Sequence, residues 1–183
     1  MDKIEIKQLT PSDLDALQAI ARQTFYETFV FTNTEENLRK YLDESFSADK
    51  LTTELNDPNA VFYFARLDKK VIGYLKVNFG PSQTAFQDDK AVEIERIYVL
   101  AEFHGKKVGQ MLLEKSLEIA RQKKAETVWL GVWEHNHRAI SFYRKNGFVE
   151  FDTHIFIVGD DPQTDLLMKR KVARGVEHGH GEG

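Results

Sequence analysis

The spacing of apolar residues changes along the chain between a period of two and a period of about 3.6, and each change predicts a new element of secondary structure. Short runs rich in β-branched and aromatic residues predict strands. In chain order these runs are KIEIKQL, AVFYFARL, KVIGYLKVNF, VEIERIYVL, TVWLGVW, FVEFDTHIFIV and TDLLMKRKV. TVWLGVW is apolar almost throughout, which is typical of a strand that is buried on both faces.

Apolar residues at helical spacing separate these strands. They predict a helix that begins after Thr10-Pro11, a helix over NTEENLRKYLDESF, a helix that begins near Val108, and a short helix over NHRAISFYRKNG that Gly147 ends. SADKLTTELND is compatible with a further short helix capped by Ser47. Without that helix, the predicted order is β-α-α-β-β-β-α-β-α-β-β, which is a mixed α/β sheet with helices on its faces.

The composition is that of a globular domain. A chain of 183 residues with 42% hydrophobic and 30% charged residues is large enough to bury a core, and we expect one domain over residues 1–172. The Gly/His-rich segment 173–183 is predicted to be a mobile tail. No apolar run approaches the ~20 residues of a membrane span, and the N-terminus lacks an apolar signal region. The lack of such a run predicts no membrane partner. The chain also has no cysteine, so it has no Cys-based zinc site, and we expect a cytoplasmic protein without a metal.

Charge is distributed unevenly, although the formal net charge is only −4. Residues 10–60 contain ten acidic and four basic residues, a balance of −6, whereas His104, Lys106 and Lys107 cluster in a later segment. This separation predicts a cationic ligand beside an acidic lobe and an anionic ligand beside a basic cleft. The alternative interpretation of the acidic lobe is a set of solvated helix faces. The slightly acidic total argues against a nucleic-acid partner.

The segment HGKKVGQ, residues 104–110, lies between the end of a predicted strand and the start of a predicted helix. The first N–H groups of a helix have no backbone partners, and the helix dipole adds partial positive charge, so a helix start binds phosphate groups. Gly105 and Gly109 let a ligand approach the backbone, and Lys106 and Lys107 offset phosphate charge. The alternative is an ordinary strand-to-helix turn with solvated lysines.

Two of these segments resemble the signatures of a known family. HGKKVGQMLL, which follows ERIYVLAEF, is similar to the CoA-binding loop of the GNAT N-acetyltransferases, and NHRAISFYRKNGF is similar to their second signature. The resemblance covers residues 3–172, and EIERIYV, WLGVWEHN, AISFYRKNGF and DPQTDLLM look like the PaiA-type polyamine acetyltransferases. It implies a single-domain fold with a mixed, mostly antiparallel sheet and helices on both faces, and the transfer of acetyl from acetyl-CoA to an amine.

The CoA loop departs from the family pattern at two positions. His104 stands where the family has Gln or Arg, and Lys107 stands where the first glycine of the loop belongs. A left-handed lysine costs roughly 1 kcal/mol. We therefore expect Lys107 to be right-handed and already helical, and to add a phosphate contact.

The resemblance also assigns contacts to acetyl-CoA. The pantetheine arm is expected to run along the strand before the loop as a false neighbouring strand, and a free N–H near Ile97 is expected to hold the thioester oxygen. Asn136 is expected on the other side of the arm, and a helix N-cap is its alternative role. The full set of expected cofactor contacts is Ile97, Tyr98, Val99, His104, Gly105, Lys106, Lys107, Val108, Gly109, Gln110, Asn136 and Lys145.

Two residues are expected to carry the chemistry. Tyr143 stands at the family's general-acid position and is expected to protonate the CoA thiolate, with a role as a core aromatic as the alternative. Glu95 is expected to be the general base, through water, because a carboxylate on a buried strand needs a partner or a role. A salt bridge to Arg96 is the alternative for Glu95, and Glu93 is the second choice for the base. The absence of cysteine favours direct transfer in a ternary complex.

The acceptor is expected to be a small amine, with a polyamine such as spermidine or spermine as the preferred interpretation. The early helices wall the amine site in this fold, so Glu27 and Glu35 are expected to hold distal ammonium groups, and Trp133 to contact a cation through its ring. Acetylation of a protein or peptide and a non-catalytic acetyl-CoA-binding regulator are the alternative functions. A homodimer is compatible with the sequence.

Overall fold

The computed structural model describes residues 3–85 and 88–173, so the predicted tail lies outside the described residues apart from Ala173. Within these ranges, no helix is long and apolar enough to cross a membrane. The principal elements are β1 (Ile4–Gln8), α1 (Leu14–Phe29), α2 (Glu35–Ser45), α3 (Ala48–Leu55), β2 (Ala60–Leu67), β3 (Lys70–Phe79), β4 (Ala91–Val99), α4 (Val108–Gln122), β5 (Thr127–Trp133), α5 (His137–Lys145), β6 (Val149–Val158) and β7 (Asp161–Lys171).

The strands form one sheet in the order β1-β2-β3-β4-β5-β7-β6. Neighbouring strands are antiparallel except β4 and β5, which are parallel. A parallel pair needs a crossover connection, and α4 provides it. The predicted mixed, mostly antiparallel α/β sheet is confirmed.

The helices cover both faces of the sheet, as predicted, and each face carries a hydrophobic core. On one face α4 and α5 pack on the strands, and Leu112 and Leu130 are among the buried residues. On the other face α1, α2 and α3 pack on the strands, and Leu17, Leu38 and Tyr74 are among the buried residues. We call these the α4 face and the α1 face.

The N-terminal half contains one helix more than the predicted order. The helix α3 forms because Ser47 caps it, with the hydroxyl accepting a hydrogen bond from the Lys50 N–H at 3.2 Å. Leu51 of this helix is fully buried. The hydroxyl of Thr34 caps α2 in the same way and accepts a hydrogen bond from the Asn37 N–H at 3.1 Å. Local capping and a buried leucine therefore both favour α3.

The sheet opens between β4 and β5. Their parallel pairing ends at Ile94↔Leu130 after four residue pairs, although β4 continues to Val99 and β5 to Trp133. The two strands therefore diverge inside the sheet. We call this opening the β4–β5 gap, and it connects the α4 face with the α1 face.

A bulge in β4 lies at the start of the gap. Val77 of β3 pairs with Ile94 and Lys76 pairs with Arg96, so Glu95 has no direct partner on β3. An extra residue in one strand bends that strand and increases its twist. The bulge turns β4 away from β5 and also breaks the side-chain alternation, since the neighbouring Glu95 and Arg96 side chains contact each other on the α1 face.

Gly73 of β3 allows a close approach of β4, because a Cβ at this position would lie 2.8 Å from the Tyr98 carbonyl oxygen and 3.4 Å from Val99 Cα. We expect Gly73→Ala to lower the free energy of unfolding by about 1–3 kcal/mol, since two backbones must move apart. Urea unfolding measures this change. Gly109→Ala is the matched control: the nearest atom to its Cβ would be Phe142 Cζ at 3.9 Å, so no loss is expected. Equal losses in the two variants would contradict this account of Gly73.

Candidate active site

A cavity of about 1270 Å³ runs along the β4–β5 gap and is lined from both faces of the sheet. A typical small-molecule pocket has a volume of roughly 300–1,000 Å³, so this cavity has room for two ligands. The site residues expected from the sequence that line it are Glu27, Glu95, Ile97, Tyr98, Val99, His104, Gly105, Lys107, Val108, Gly109, Gln110, Trp133, Asn136, Tyr143 and Lys145.

Two expected contacts, Lys106 and Glu35, are not part of this lining. Lys106 is exposed in the loop before α4. Glu35 is exposed in the first turn of α2, where a carboxylate interacts favourably with the helix dipole. The geometry therefore gives Glu35 a helix-terminal role and does not place it against a ligand in the cavity.

The start of α4 presents backbone donors without a cap. Its N-cap residue, Lys107, makes no side-chain cap hydrogen bond, whereas the side chains of Thr34, Ser47 and Asn136 cap α2, α3 and α5. The first N–H groups of α4, beginning at Val108, therefore have no cap to accept their hydrogen bonds. Together with the helix dipole, they form a site suited to an anion.

Lys107 adopts a left-handed conformation, with φ 67° and ψ 14°, so the prediction of a right-handed, helical Lys107 is wrong. Gly105, two residues earlier, also has a positive φ of 81°. The neighbouring Val108 is buried, and the packing of α4 fixes the direction in which the loop joins the helix. The loop needs the geometry for which glycine is the usual residue, and the lysine adopts it at a cost of roughly 1–2 kcal/mol.

The backbone of β4 is open toward the gap. The Leu100 N–H donates to the Ile72 carbonyl of β3 at 2.9 Å. Because the direction of hydrogen bonding alternates along an antiparallel strand, the N–H and C=O groups of Ile97 and Val99 point away from β3 and into the gap. The Val99 carbonyl lies 2.9 Å from Nε2 of His104. The other groups of these two residues are positioned to pair with an extended ligand as a neighbouring strand would.

Tyr143 of α5 is both a core residue and a cavity residue. Its ring packs edge-on against Phe142 and Phe148, with centroid separations of 5.3 and 5.7 Å. Burial raises the pKa of the Tyr143 phenol above its usual value, so the hydroxyl keeps its proton at neutral pH. The position offers a neutral phenol donor to the cavity.

Asn136 and Gln110 both make contacts inside the protein. The Asn136 Oδ1 accepts a hydrogen bond from the Ala139 N–H at 3.2 Å, so the alternative interpretation of Asn136 as an N-cap describes the structure. This bond uses the oxygen and leaves the amide NH2 for a ligand. Gln110 Nε2 donates to Asn146 Oδ1 at 3.0 Å and thereby links α4 to α5.

Four charged side chains form what we call the ion cluster: Glu54, Lys76, Glu95 and Arg96. Arg96 Nη1 donates to Glu54 Oε1 at 2.7 Å, and its Nη2 donates to Glu95 Oε2 at 3.2 Å. Lys76 Nζ bonds Glu95 Oε1 directly and lies 3.8 Å from Glu54 Oε1. The cluster is largely buried and contains two positive and two negative charges, so it has no net charge.

The ion cluster removes Glu95 from the role of general base. Although burial opposes ionisation, the charges of Arg96 and Lys76 lower the pKa of the Glu95 carboxyl to about 2. A carboxylate with that pKa does not take up a proton at neutral pH. The alternative interpretation, a salt bridge to Arg96, describes the structure and corrects the expectation that Glu95 is the base.

Glu93, the second choice for the base, is held by neutral donors. Its carboxylate accepts hydrogen bonds from the Thr84 N–H at 2.8 Å and from Asn78 Nδ2 at 3.0 Å. Burial raises the pKa of Glu93. The same Asn78 Nδ2 also donates to Glu95 at 2.8 Å. Asn78 therefore ties Glu93 to the ion cluster and gives it a structural role in the floor of the cavity.

The wall of the cavity on the α1 face combines a carboxylate with aromatic rings. Glu27 of α1 accepts hydrogen bonds from the Ala101 N–H at 2.9 Å and from Gln23 Nε2 at 3.0 Å. The ring of Trp133 lies 4.8 Å from that of Phe29, centroid to centroid. Glu27 and Trp133 both line the cavity, as their expected substrate contacts require.

Several charged cavity residues are not among the site residues predicted from the sequence, and Asp165 of β7 and Arg138 of α5 matter most for the chemistry. Burial raises the pKa of the Asp165 carboxyl to about 7. The signal was present in TDLLMKRKV, where Asp165 stands beside apolar residues of a strand. The criterion that selected Glu95, a carboxylate on a buried strand, also selects Asp165.

The charges of the cavity are separated between its two ends. Lys107, Arg138 and Lys145 line it on the α4 face together with the carboxylate of Glu114, and none of the three cations has an ion-pair partner among residues 3–85 and 88–173. On the α1 face the lining carries Glu27, Glu93 and Asp165 besides the neutral ion cluster, and Lys50 is the one further cation there within the described part of the chain. In the same part, no group of three or more His, Asp and Glu side chains is placed to hold a metal ion.

The family model, the sequence relatives and the solved structure that match this chain all describe acetyltransferases. The family model described as Acetyltransferase (GNAT) family matches residues 15–148. An uncharacterized N-acetyltransferase of Lactobacillus delbrueckii subsp. lactis is 39% identical over 170 residues, which are 93% of this chain and 98% of the relative. A spermidine N(1)-acetyltransferase of Thermoplasma acidophilum is 28% identical over 92% of this chain and 97% of its own length. The crystal structure of PaiA N-acetyltransferase from Thermoplasma acidophilum in complex with coenzyme A superposes with a TM-score of 0.77 at 28% identity, and the match covers 92% of this chain and 99% of that one.

We expect Lys107→Gly to raise the free energy of unfolding by about 0.5–1 kcal/mol, because the relief of left-handed strain exceeds the added entropy of the unfolded glycine. Chemical denaturation measures the change. Lys107→Ala is the control, since it removes the charge but keeps the Cβ and the strain. A glycine variant no more stable than the alanine variant would contradict the strained geometry.

We expect Glu95→Gln to lower the free energy of unfolding by about 3 kcal/mol at pH 7, the equivalent of its pKa change from 4.5 to about 2. The folded-state pKa is lower than the unfolded one, so this stabilisation is complete above pH 4.5 and is lost as the pH falls toward 2. Denaturation of both proteins at pH 7 and pH 3 therefore gives a smaller difference at pH 3. Glu5→Gln, which breaks an exposed pair with Arg66, is the control and should have a much smaller effect. A stability difference between the wild type and Glu95→Gln that does not depend on pH would contradict the lowered pKa of Glu95.

Proposed function

The chain belongs to the GNAT family of acetyltransferases, and we propose that it acetylates a primary amine of a polyamine such as spermidine or spermine. Acetyl-CoA is the co-substrate of this family, and the transfer of its acetyl group to an amine is the family's reaction. The observation that carries the choice of a polyamine is the charge separation along the cavity, with carboxylates and aromatic rings on the α1 face. A relative named as a spermidine N(1)-acetyltransferase supports it.

The α4 face suits the phosphates and the pantetheine arm of acetyl-CoA. The uncapped N–H groups of α4 and the unpaired Lys107, Arg138 and Lys145 fit a pyrophosphate. The open backbone of Ile97 and Val99 fits the amides of the arm. When bound, acetyl-CoA supplies an acyl group activated as a thioester. These donors therefore match both the charge and the extended shape of this ligand.

Tyr143 and the β4 backbone supply the chemistry on the cofactor side. Tyr143 donates its phenol proton to the sulfur as the thiol leaves, which its neutral state at pH 7 permits. The Ile97 N–H, directed into the gap, donates to the thioester oxygen as negative charge develops there. Direct attack by the amine in a ternary complex follows from the room for both ligands in one cavity and from the absence of cysteine in the sequence.

The α1 face suits a polyamine because such a molecule alternates ammonium groups with methylene segments. The rings of Phe29, Tyr41 and Trp133 line the cavity and provide apolar surface for methylene groups and π-faces for cations. Glu27 and Asp165 provide negative charge. The neutral ion cluster adds no net repulsion.

The cytoplasmic location and the homodimer stay predictions.

The experiment is a thiol-release assay with acetyl-CoA and, in turn, spermidine, spermine, a lysine peptide and no amine. We expect turnover with spermidine or spermine, and a loss of about 100-fold or more in kcat for Tyr143→Phe because the leaving thiolate lacks its proton donor. Tyr63→Phe is the matched control, since Tyr63 of β2 is not part of the cavity lining, and it should leave turnover unchanged.

The outcomes separate the alternatives. Turnover with the lysine peptide alone would overturn the polyamine and make the acidic α1 face incidental. Tight binding of acetyl-CoA without turnover of any amine would favour the non-catalytic regulator. An unchanged kcat in Tyr143→Phe would remove Tyr143 from the acid role while leaving the polyamine in place.

A further inference from the structure

The proton that an amine must lose before it attacks has no acceptor in Glu95 or Glu93, since both carboxylates are held by partners inside the protein. A polyamine or lysine amine is mostly an ammonium ion at neutral pH, because its pKa is about 10. The site therefore needs another base on the α1 face, at the edge of the β4–β5 gap.

Asp165 lies at that edge. It pairs with Trp133 across β5 and β7, and its side chain is on the same side of the sheet as Gly131. Gly131 is the first residue of β5 after the last β4–β5 pair, Ile94↔Leu130. A Cβ at Gly131 would lie 3.1 Å from the Asp165 Oδ2. The carboxylate therefore stands beside the point where the strands separate, and the missing side chain of Gly131 leaves the space next to it open.

The Asp165 carboxylate differs from the other cavity carboxylates in its contacts. Glu95 bonds two cations, Glu93 accepts from an amide and a backbone N–H, and Glu27 accepts from Ala101. Within residues 3–85 and 88–173, no hydrogen bond or ion pair to the Asp165 side chain is present. Its side chain lies beside Gly131, and both residues line the cavity. A carboxylate that is half-buried, lines a cavity and has no internal partner is available to a ligand.

We infer that Asp165 is the general base that takes a proton from the acceptor ammonium on the α1 face. This inference rests on the amine acceptor of the proposed function but not on which amine it is. It also explains why Gly131 interrupts the apolar run of β5, since a larger residue there would press on the Asp165 carboxylate.

Burial, and not the groups that face Asp165, raises the pKa of this carboxyl. From α2 and β4 it faces the phenols of Tyr41 and Tyr98, both protonated at neutral pH because burial raises their pKa values. From β6 it faces His154, its cross-strand partner. Glu95 and Arg96, which interact electrostatically with the Tyr41 phenol, neutralise each other, and α1 contributes the uncharged ring of Phe29 against Trp133. Burial alone raises the pKa of Asp165 to about 7, the value that suits a base working near neutral pH.

The protons of the reaction balance with Asp165 in this role. One ammonium proton moves to Asp165 and from there to solvent. The neutral nitrogen then forms the C–N bond to the acetyl carbon, and the C–S bond breaks. The leaving sulfur takes the phenol proton of Tyr143, and the nitrogen loses a second proton, which restores that phenol. The third proton stays on the amide, so one acetyl-CoA and one ammonium ion give one amide, one thiol and one released proton.

The test compares the pH dependence of kcat/KM in the wild type and in Asp165→Asn, with spermidine and with a lysine peptide. For the wild type we expect an ascending limb with an apparent pKa of about 7. For Asp165→Asn we expect a loss of about 100-fold at pH 7.5. The limb near 7 should disappear, and the rate should rise continuously toward pH 10 as free amine accumulates.

His154→Gln is the matched control, because His154 of β6 is the cross-strand neighbour of Asp165. It should keep the ascending limb, and so should Tyr143→Phe at its lower rate. A limb that survives in Asp165→Asn, or one that disappears in His154→Gln, would overturn the inference. If the wild type acetylates only the peptide, the polyamine fails, while the same pH series on the peptide still decides the role of Asp165.

Thermal stability gives a second readout that needs no substrate. The pKa of Asp165 is higher in the folded than in the unfolded protein, so the ionised group destabilises the fold above pH 7, and the effect vanishes below the unfolded pKa near 4. Asp165→Asn should therefore have a higher Tm than the wild type at pH 8 and an equal Tm at pH 4. A lower Tm at pH 8 would show that an internal partner holds the carboxylate and would overturn the inference.

Discussion

The parallel pairing of β4 with β5 lasts for only four residue pairs, and the arrangement of the whole site depends on where it stops. Opening a sheet in its interior leaves backbone donors and acceptors without partners, and each such group costs roughly 1–3 kcal/mol when it is buried and unsatisfied. The fold limits that cost by making the opening a cavity. It also holds the opening in place with the bulge at Glu95 and with the contact between His104 and the Val99 carbonyl.

The ion cluster lies beside that opening, at the bulge in β4. Four charges are largely removed from water at the bulge, where their desolvation is offset by their mutual bonds. One consequence is mechanical, since Glu54 of α3 is tied through Arg96 to β4 and the α1 face is thereby fixed relative to the gap. The other is electrostatic. Because the cluster is neutral, the field on the α1 face is set by the few carboxylates outside it, and Asp165 is foremost among them.

Much of the fold follows from the sequence, because strand and helix periods are local properties. The strands and the principal helices coincide with runs whose apolar spacing is clear. The predicted order omits α3 because its apolar run is short, although the sequence shows its cap, Ser47. The wall on the α4 face was also predictable, since one motif contains the start of α4 and a second contains α5. Residues 104, 105 and 107–110 enter the cavity lining from the first, and Asn136 and Tyr143 from the second.

The errors concern properties that depend on distant parts of the chain. Lys107 is left-handed because the packing of Val108 and α4 fixes the loop, and this outweighs its local preference. Glu95 is paired because the bulge brings Arg96 and Lys76 to it, which strand alternation alone does not show. Asp165 comes close to the gap only through the pairing of β7 with β5, about thirty residues away along the chain.

The β4–β5 gap passes through the sheet and does not lie on one of its faces, so a single cavity is lined from both faces. Two ligands that bind on opposite faces therefore meet inside the sheet. A single molecule that joined both ligands covalently would contact both faces at once, and it would have to release both sets of contacts in order to leave. Such a two-sided inhibitor would dissociate more slowly than either of its halves.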